Sequence, residues 1–204
     1  MRQRYILFFF ALISILPSNA QSTAKDYFMS AIQREKDGDK PGAILDYTKS
    51  INLDATHYQT FNNRGILKND LQDYKGALED YSKAIALNPS FVDAYNNRGN
   101  AKSKLKDFKG ALKDYTKALE LDAKNPHVYY NRGNVYFDLK KYNEAVKDFS
   151  KTVAINPEYA RAFFNRANCK IMLKDKSGAC SDYRKAEKLG YQKATAEIKK
   201  HCGK

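Results

Sequence analysis

A repeat with a period of 34 residues runs through most of this chain and constrains what it can fold into. One alanine recurs at this spacing, at Ala43, Ala77, Ala111, Ala145 and Ala179. Five units follow one another in register, at residues 24–57, 58–91, 92–125, 126–159 and 160–193. Because a unit this short cannot bury an apolar face by itself, we expect the units to stack in a linear array.

Within each unit, numbered here from position 1 to 34, small residues alternate with large ones. Positions 8, 20 and 27 are small, which lets two helix backbones approach, and position 24 is aromatic. We expect the Leu or Ile at position 30 to fill the space beside the aromatic ring at position 24. The pattern predicts helix A, a turn near positions 15–17, and helix B, which ends near position 32 where two repeats carry proline. The residues at position 24 are Tyr47, Tyr81, Tyr115, Phe149 and Tyr183, and the prolines are Pro89 and Pro157.

In its period, its small residues at 8, 20 and 27 and its aromatic at 24, the chain resembles the tetratricopeptide repeat over residues 24–193. The resemblance implies an all-α fold, a right-handed α-solenoid of five helix-turn-helix units. The final segment, 194–204, has the pattern of a capping helix and tail. In this family helix A lines the concave side, and positions 2, 5, 6, 9, 12 and 13 point towards a bound segment.

The first twenty residues do not share the repeat. Arg2 and Arg4 precede an apolar run from Tyr5 to Leu16, and small residues end it at Ala20. This pattern is typical of a signal peptide, residues 1–20, and predicts a secreted or periplasmic protein with a short lead at 21–23 and no membrane span after cleavage. An uncleaved anchor is the competing interpretation, but a span needs about 20 apolar residues.

The chain is strongly basic, with a net charge of +13 that falls to +11 without Arg2 and Arg4. Such a charge attracts anionic lipid, polysaccharide or nucleic acid. Position 26 is a lysine in every repeat, which indicates either a solvated outer face or a binding strip; we favour the solvated face. These lysines are Lys49, Lys83, Lys117, Lys151 and Lys185.

Position 7 is arginine in repeats 2–5, and position 23 is aspartate in all five. Two antiparallel helices that turn near position 15 bring these positions to the same level, so we expect an Arg–Asp pair within each of these repeats. The alternative is that the arginines grip an anionic ligand. The arginines are Arg64, Arg98, Arg132 and Arg166, and their expected partners are Asp80, Asp114, Asp148 and Asp182.

All three cysteines lie near the end of the chain. Cys180 and Cys202 stand eleven residues on either side of Tyr191, where helix B of repeat 5 and the capping helix turn. We expect them to form a disulfide, and the ending resembles that of many exported bacterial tetratricopeptide proteins. A Cys169–Cys180 bond and a zinc site with His201 are the alternatives.

No catalytic constellation is present, since the three histidines are far apart in sequence and no nucleophile or phosphate-loop motif occurs. We therefore expect no enzyme, no cofactor and no bound metal. The function should lie on a surface. We expect a scaffold or adaptor that binds a protein or peptide of unknown identity in the concave groove. The alternative is an electrostatic binder of an anionic surface, with nucleic acid the least favoured. Self-association through the N-terminal end is a third option.

Asparagines at positions 6 and 9 form a ladder along the predicted groove. An amide offers a donor and an acceptor, so a ladder of amides can pair with an extended peptide backbone. The other interpretation is that position 6 bonds locally to the neighbouring helix. Aromatic residues and one arginine join the ladder late in the stack, in the composition of a binding hot spot. The predicted peptide-binding residues are Asn63, Asn97, Asn100, Asn131, Asn134, Asn165, Asn168, Tyr130, Phe164 and Arg161.

Overall fold

A computed structural model describes residues 22–203, so the predicted signal peptide lies outside the described residues. The described residues contain eleven helices and no strand. The A helices are α1 (Ala24–Lys36), α3 (Tyr58–Asp70), α5 (Val92–Lys104), α7 (Pro126–Asp138) and α9 (Ala160–Met172). The B helices are α2 (Lys40–Leu53), α4 (Tyr74–Leu87), α6 (Phe108–Leu121), α8 (Tyr142–Ile155) and α10 (Lys176–Lys188), and α11 (Lys193–His201) follows them.

The helices stack in chain order. Each A helix packs against the B helix of its own repeat, each B helix packs against the next A helix, and α11 packs against α10. The predicted all-α solenoid of five helix-turn-helix units with a final capping helix is confirmed. No helix within residues 22–203 is long and apolar enough to cross a membrane.

In the core, the small residue at position 8 packs against the aromatic ring at position 24, as predicted. A Cβ atom on Gly99 would lie 2.7 Å from the ring of Tyr115, and one on Gly65 would lie 2.8 Å from the ring of Tyr81. The rings at position 24 are all at most 1% exposed. Helix A can approach helix B this closely because position 8 has almost no side chain.

The turn between helices A and B places position 15 in the left-handed region of backbone space in all five repeats. Only repeat 1 uses glycine there, Gly38 with φ of 82°. The other four turns hold a residue with a side chain at φ between 57° and 65°, a conformation that costs such residues free energy. These residues are Gln72, Lys106, Lys140 and Lys174.

An aspartate caps helix B in four of the five repeats. Asp107, for example, accepts a hydrogen bond from the backbone N–H of Gly110 at 2.9 Å. A Cβ atom on Gly110 would lie 2.1 Å from the same carboxylate, so this capping geometry requires glycine at position 19. Repeat 4 carries Lys141 and Glu144 at these positions, and α8 has no side-chain cap.

Helix B ends at position 30 in repeats 1–4, with and without proline, and at position 29 in repeat 5. In repeats 2 and 4 this end is where the proline at position 32 places it, because the residue before a proline disfavours the helical conformation. At position 31 of repeats 1–4 an Asp or Asn accepts a hydrogen bond from the backbone N–H two residues later, as Asn88 does from Ser90 at 3.1 Å. This Asx turn satisfies the backbone and directs the chain into the next A helix. The other three turns begin at Asp54, Asp122 and Asn156.

The side chains at position 30, which we expected to fill the core, are partly exposed in three repeats. Leu53, Leu121 and Ile155 are 51%, 37% and 38% exposed. Position 30 is the last residue of four of the B helices, so its side chain lies at the edge of the helical layer rather than between helices. The prediction is therefore wrong for these three residues.

The N-terminal end of the stack is polar at the positions where the later repeats join. Position 3 is buried in repeats 2–5, and position 10 is buried there as well, for example Val128 and Val135. In repeat 1 the same positions carry Asp26 and Gln33, both exposed. Burying these polar groups against another repeat would carry a desolvation penalty, as expected for the first repeat of a stack.

The C-terminal end is closed by α11, which buries Ala194 against α10. Cys180 and Cys202 form a disulfide across this helix pair, with their Cα atoms 5.6 Å apart. This is the pair that the sequence favours over Cys169–Cys180. Cys169 is a free thiol, completely buried, and burial raises its pKa to about 12.

Candidate functional site

The A helices form the inner, concave layer of the stack. A helices of consecutive repeats touch each other, α3 with α5, α5 with α7 and α7 with α9, which places them on the shorter side of the curve. Positions 2, 5, 6, 9, 12 and 13 lie on this side. We call this surface the groove.

The asparagines at position 6 link neighbouring A helices. Nδ2 of Asn97 donates to Oδ1 of Asn62 at 3.2 Å, and Nδ2 of Asn131 donates to Oδ1 of Asn96 at 3.0 Å. Each bond runs to position 5 of the preceding repeat. The hydrogen bond to the neighbouring helix, which the sequence left open as an alternative, is therefore present, and these amides have a structural role.

The asparagines at position 9 bond in the opposite sense, as acceptors. Oδ1 of Asn100 accepts from the hydroxyl of Tyr115 at 2.7 Å, and Oδ1 of Asn168 accepts from that of Tyr183 at 2.6 Å. Repeat 4 has a phenylalanine at position 24, which cannot donate. Oδ1 of Asn134 accepts instead from Nδ2 of Asn165 at 2.8 Å.

These internal hydrogen bonds determine which half of each amide, the oxygen or the nitrogen, remains available to a ligand. Among residues 22–203, no hydrogen bond engages the carbonyl oxygens of Asn97 and Asn131 or the amide nitrogen of Asn100. The amide nitrogen of Asn134 meets the hydroxyl of Tyr130 and keeps one of its two N–H groups. Position 6 therefore offers an acceptor and position 9 a donor. An extended peptide backbone presents donors and acceptors in alternation, which such a surface can satisfy.

Asn63 departs from this division. It donates to the hydroxyl of Tyr47 at 3.4 Å and accepts from Nδ2 of Asn62 at 3.4 Å, so both halves of its amide are engaged. The division into acceptors and donors therefore begins at repeat 3.

The arginines at position 7 make the pairs that the sequence predicts. In repeat 3, Arg98 donates from Nε and Nη2 to both carboxylate oxygens of Asp114, at 2.9 and 2.8 Å. Its Nη1 donates to Ser82 of the preceding repeat at 3.1 Å. Every nitrogen of the guanidinium has a partner, so the arginine column holds repeats together and is not open to a ligand. In repeat 4 the Asp148 carboxylate raises the pKa of Arg132.

Sequence comparison agrees with this architecture. The family model described as "Tetratricopeptide repeat" matches residues 92–125 and 126–159, and a model described as "TPR repeat" matches residues 67–106. This chain is a tetratricopeptide repeat protein. No curated protein sequence matches it.

Solved tetratricopeptide structures share the fold at low identity. MamA from Desulfovibrio magneticus RS-1 is 20% identical, with a TM-score of 0.76 over 83% of this chain and 96% of that one. YrrB, described as a TPR protein with an unusual peptide-binding site, is 21% identical, with a TM-score of 0.70 over 87% of this chain and 92% of that one. PilF from Pseudomonas aeruginosa is 20% identical, with a TM-score of 0.74 over 86% and 82%. At these identities the likeness shows the fold alone.

The middle of the tetratricopeptide groove is a polar concavity of about 450 Å³. Oδ1 of Asn69 is buried there and, among residues 22–203, has no hydrogen-bond partner. A buried carbonyl without a partner costs about 1–3 kcal/mol, and a ligand or water can supply the missing donor. The concavity is lined by Asn69, Asn100, Ser103, Lys104, Lys106, Tyr115, Asn131, Asn134 and Asp138.

The predicted hot spot is only partly open. The hydroxyl of Tyr130 accepts from Nδ2 of Asn165 at 3.1 Å, and burial raises the pKa of this tyrosine. Phe164 packs against Tyr183 and Tyr191, where the cap begins. Arg161 remains exposed. The two aromatic residues therefore contribute mainly to packing between repeats.

An apolar pocket of about 340 Å³, which the sequence did not indicate, lies at the N-terminal end of the groove. Phe28 and Met29 line it, and Met29 is 55% exposed. They occupy positions 5 and 6 of repeat 1, where the later repeats mostly carry polar side chains. The absence of asparagine from these two positions of repeat 1 is the feature of the sequence that could have indicated the pocket.

The groove carries no excess charge. Its charged side chains are four cations and four carboxylates, in a chain that is strongly basic overall. The groove is therefore not the part of the molecule that attracts anions. These residues are Lys25, Glu35, Lys36, Asp70, Asp93, Lys104, Asp138 and Arg161.

Proposed function

We propose that this chain is a scaffold or adaptor that holds an extended segment of another polypeptide in the tetratricopeptide groove, across repeats 2–4. The observation that carries the proposal is the amide surface of the central concavity. Asn131 offers an acceptor there, Asn100 and Asn134 offer donors, and Oδ1 of Asn69 is buried without a partner within residues 22–203. A main chain in extended conformation supplies the complementary groups.

Apolar side chains at the two ends of the groove support the same conclusion. Met29 and Ile66 are 55% and 38% exposed near its start, and Met172 is 54% exposed near its end. A segment that crosses the amides in the middle can place apolar side chains against these ends. YrrB shares the fold and is described as having a peptide-binding site, which agrees with the proposal.

The predicted signal peptide leads us to propose that the protein acts outside the cytoplasm, in the periplasm or as a secreted protein. The partner would then be a polypeptide of the same compartment. Separation of the medium, the periplasmic contents released by osmotic shock and the cytoplasm tests this placement, and a protein found only in the cytoplasm would refute it.

The groove can be tested without knowing the partner. A random peptide library is selected against residues 21–204, which contain every described helix, and the affinity of the selected peptides is measured by calorimetry. Asn100→Asp and Asn134→Asp together keep the oxygens that accept the internal bonds but remove the amide nitrogens that face the groove. Losing two hydrogen bonds should weaken binding roughly 10- to 30-fold.

The control is a pair of exposed outer residues of opposite charge, Glu79→Ala and Lys83→Ala, which should leave the affinity unchanged. A photoreactive residue at Ser103 should crosslink to the peptide, and one at Thr116, on the outer side, should not. Because the groove is electrically balanced, binding should persist in high salt. Peptides that bind equally well to the Asn100→Asp, Asn134→Asp variant, and that salt releases, would refute groove binding.

A further inference from the structure

The positive charge of the protein is concentrated on one face. Residues 22–203 carry a net charge of +10, which is the +13 of the chain less Arg2, Arg4 and Lys204. The outward face of the B helices, positions 18, 22, 25, 26 and 29, holds eleven cations and only two carboxylates, Glu79 and Glu120. Nine of the ten net charges therefore lie on this face, opposite the balanced groove.

The lysines at position 26 run along the centre of this face, one in each repeat. Lys83, Lys151 and Lys185 are exposed, and within residues 22–203 they have no ion-pair partner. Lys117 meets Glu120 at 3.1 Å and Lys49 meets Asp46 at 3.3 Å. Lys49 and Lys185 also lie over the rings of Tyr27 and Phe163, at 5.1 and 5.9 Å. Within residues 22–203 Lys83 and Lys151 have neither kind of partner, and because a row of like charges repels itself, folding does not account for them.

Aliphatic side chains accompany these lysines one helical turn further on. Position 30 follows position 26 by four residues, so the two lie on the same side of helix B. Leu121 and Ile155, which follow Lys117 and Lys151, are 37% and 38% exposed. The outer face therefore pairs each lysine of repeats 1, 3 and 4 with an exposed aliphatic residue.

We propose that this outer face binds the surface of a membrane that contains anionic phospholipid. Lysines beside exposed aliphatic side chains are the composition of an interfacial surface, where the ammonium groups meet headgroups and the aliphatic groups enter the acyl boundary. A soluble polyanion uses only the lysines. Nucleic acid binding also relies on stacking, and no aromatic residue occupies positions 18, 22, 25, 26, 29 or 30. The rings beside this face, Tyr27, Tyr95 and Phe163, are partly buried and already stack with cations of the protein. The groove stays free to hold a polypeptide at the membrane.

Vesicle sedimentation tests the proposal. Residues 21–204 are used because the apolar run before Ala20 would itself enter lipid. The protein should bind phosphatidylcholine vesicles that contain phosphatidylglycerol, should not bind pure phosphatidylcholine, and should be released by high salt. Lys117→Gln, Lys151→Gln and Lys185→Gln together should weaken binding about 100-fold, at roughly fivefold for each lysine.

The matched control removes the same charge from the same repeats at position 15. Lys106→Gln, Lys140→Gln and Lys174→Gln together should weaken binding less than about fivefold, because these side chains lie at the turns and not on the outer face. A second variant, Leu121→Ser with Ile155→Ser, should weaken vesicle binding about tenfold while leaving its salt dependence unchanged.

Three results would overturn the proposal. The first is the absence of binding to anionic vesicles. The second is an equal effect of the two lysine triples, since the net charge alone would then explain binding. The third is tight binding of heparin or DNA together with vesicle binding that is unaffected by Leu121→Ser and Ile155→Ser, which would identify a soluble polyanion as the partner. None of these results bears on peptide binding in the groove.

Discussion

Replacing Arg132 by Met should destabilise the protein far more than the same replacement of Arg98. Arg132 holds both oxygens of Asp148 at 2.8 Å, and Asp148 is only 4% exposed. Among the described residues, no lysine reaches this carboxylate, because position 11 of repeat 4 is Tyr136. The variant therefore leaves a buried carboxylate without a cation, which costs about 3–5 kcal/mol.

Arg98 is the matched comparison. It pairs with Asp114 in the same way, but Lys102 also meets Asp114 at 2.8 Å. After Arg98→Met the carboxylate still has a cation, so the cost should be about 1.5–3 kcal/mol, the value of a charge-assisted hydrogen bond. Both arginines stack on a tyrosine at 5.7 Å, and the loss of that contact cancels between the two variants. Arg132 also lies 5.9 Å over Tyr136, an extra contact of about 0.5–1 kcal/mol that is smaller than the cost of the unpaired carboxylate.

Urea unfolding followed by circular dichroism measures both variants, with stability compared from the midpoints at equal slope. Adding Tyr136→Lys to Arg132→Met places a lysine where repeats 2, 3 and 5 have one and should recover part of the loss. Equal destabilisation by Arg132→Met and Arg98→Met, without recovery by Tyr136→Lys, would refute the reasoning that the unpaired carboxylate is the main cost.

Four further outcomes are expected. Lys106→Gly should raise stability by about 0.5–1 kcal/mol in urea unfolding, because glycine adopts the left-handed φ of 65° without strain. Lys141→Asp with Glu144→Gly should add about 1 kcal/mol by restoring the missing cap, more than Lys141→Asp alone. Cys169 should not react with a thiol reagent in the native protein and should be the single reactive thiol after unfolding without reductant. Burial raises the pKa of Tyr183 to about 12, so stability should fall as the pH rises from 10 towards 12, and Tyr183→Phe should lose less over that range.

The sequence predicts the architecture well because its repeat imposes the same rule five times. The helix pairs, the close contact of Gly99 with Tyr115 and the Arg–Asp pairs follow from the period and from the geometry of a helical hairpin. Cys180 and Cys202 are likewise placed by their equal distances from the final turn. These features depend on spacing along the chain, which a sequence displays directly.

The candidate site could be predicted only in part. The sequence indicates that asparagines line the concave face, but not which half of each amide is used internally. That depends on whether position 24 of the same repeat offers a hydroxyl, as Tyr115 does for Asn100 and Phe149 cannot for Asn134. It also depends on side chains in neighbouring repeats, which the sequence does not bring together.

The sequence by itself determined the five helical pairs, their register and the residues that meet within one repeat, because these follow from a local hairpin repeated at a fixed period. Only the tertiary structure decided which surfaces remain open. Stacking partly covers Phe164 beside the cap while leaving Leu121 and Ile155 at an exposed edge, and it separates a balanced groove from a basic outer face. Exposure depends on what the neighbouring repeats cover, and that is a property of the assembled stack.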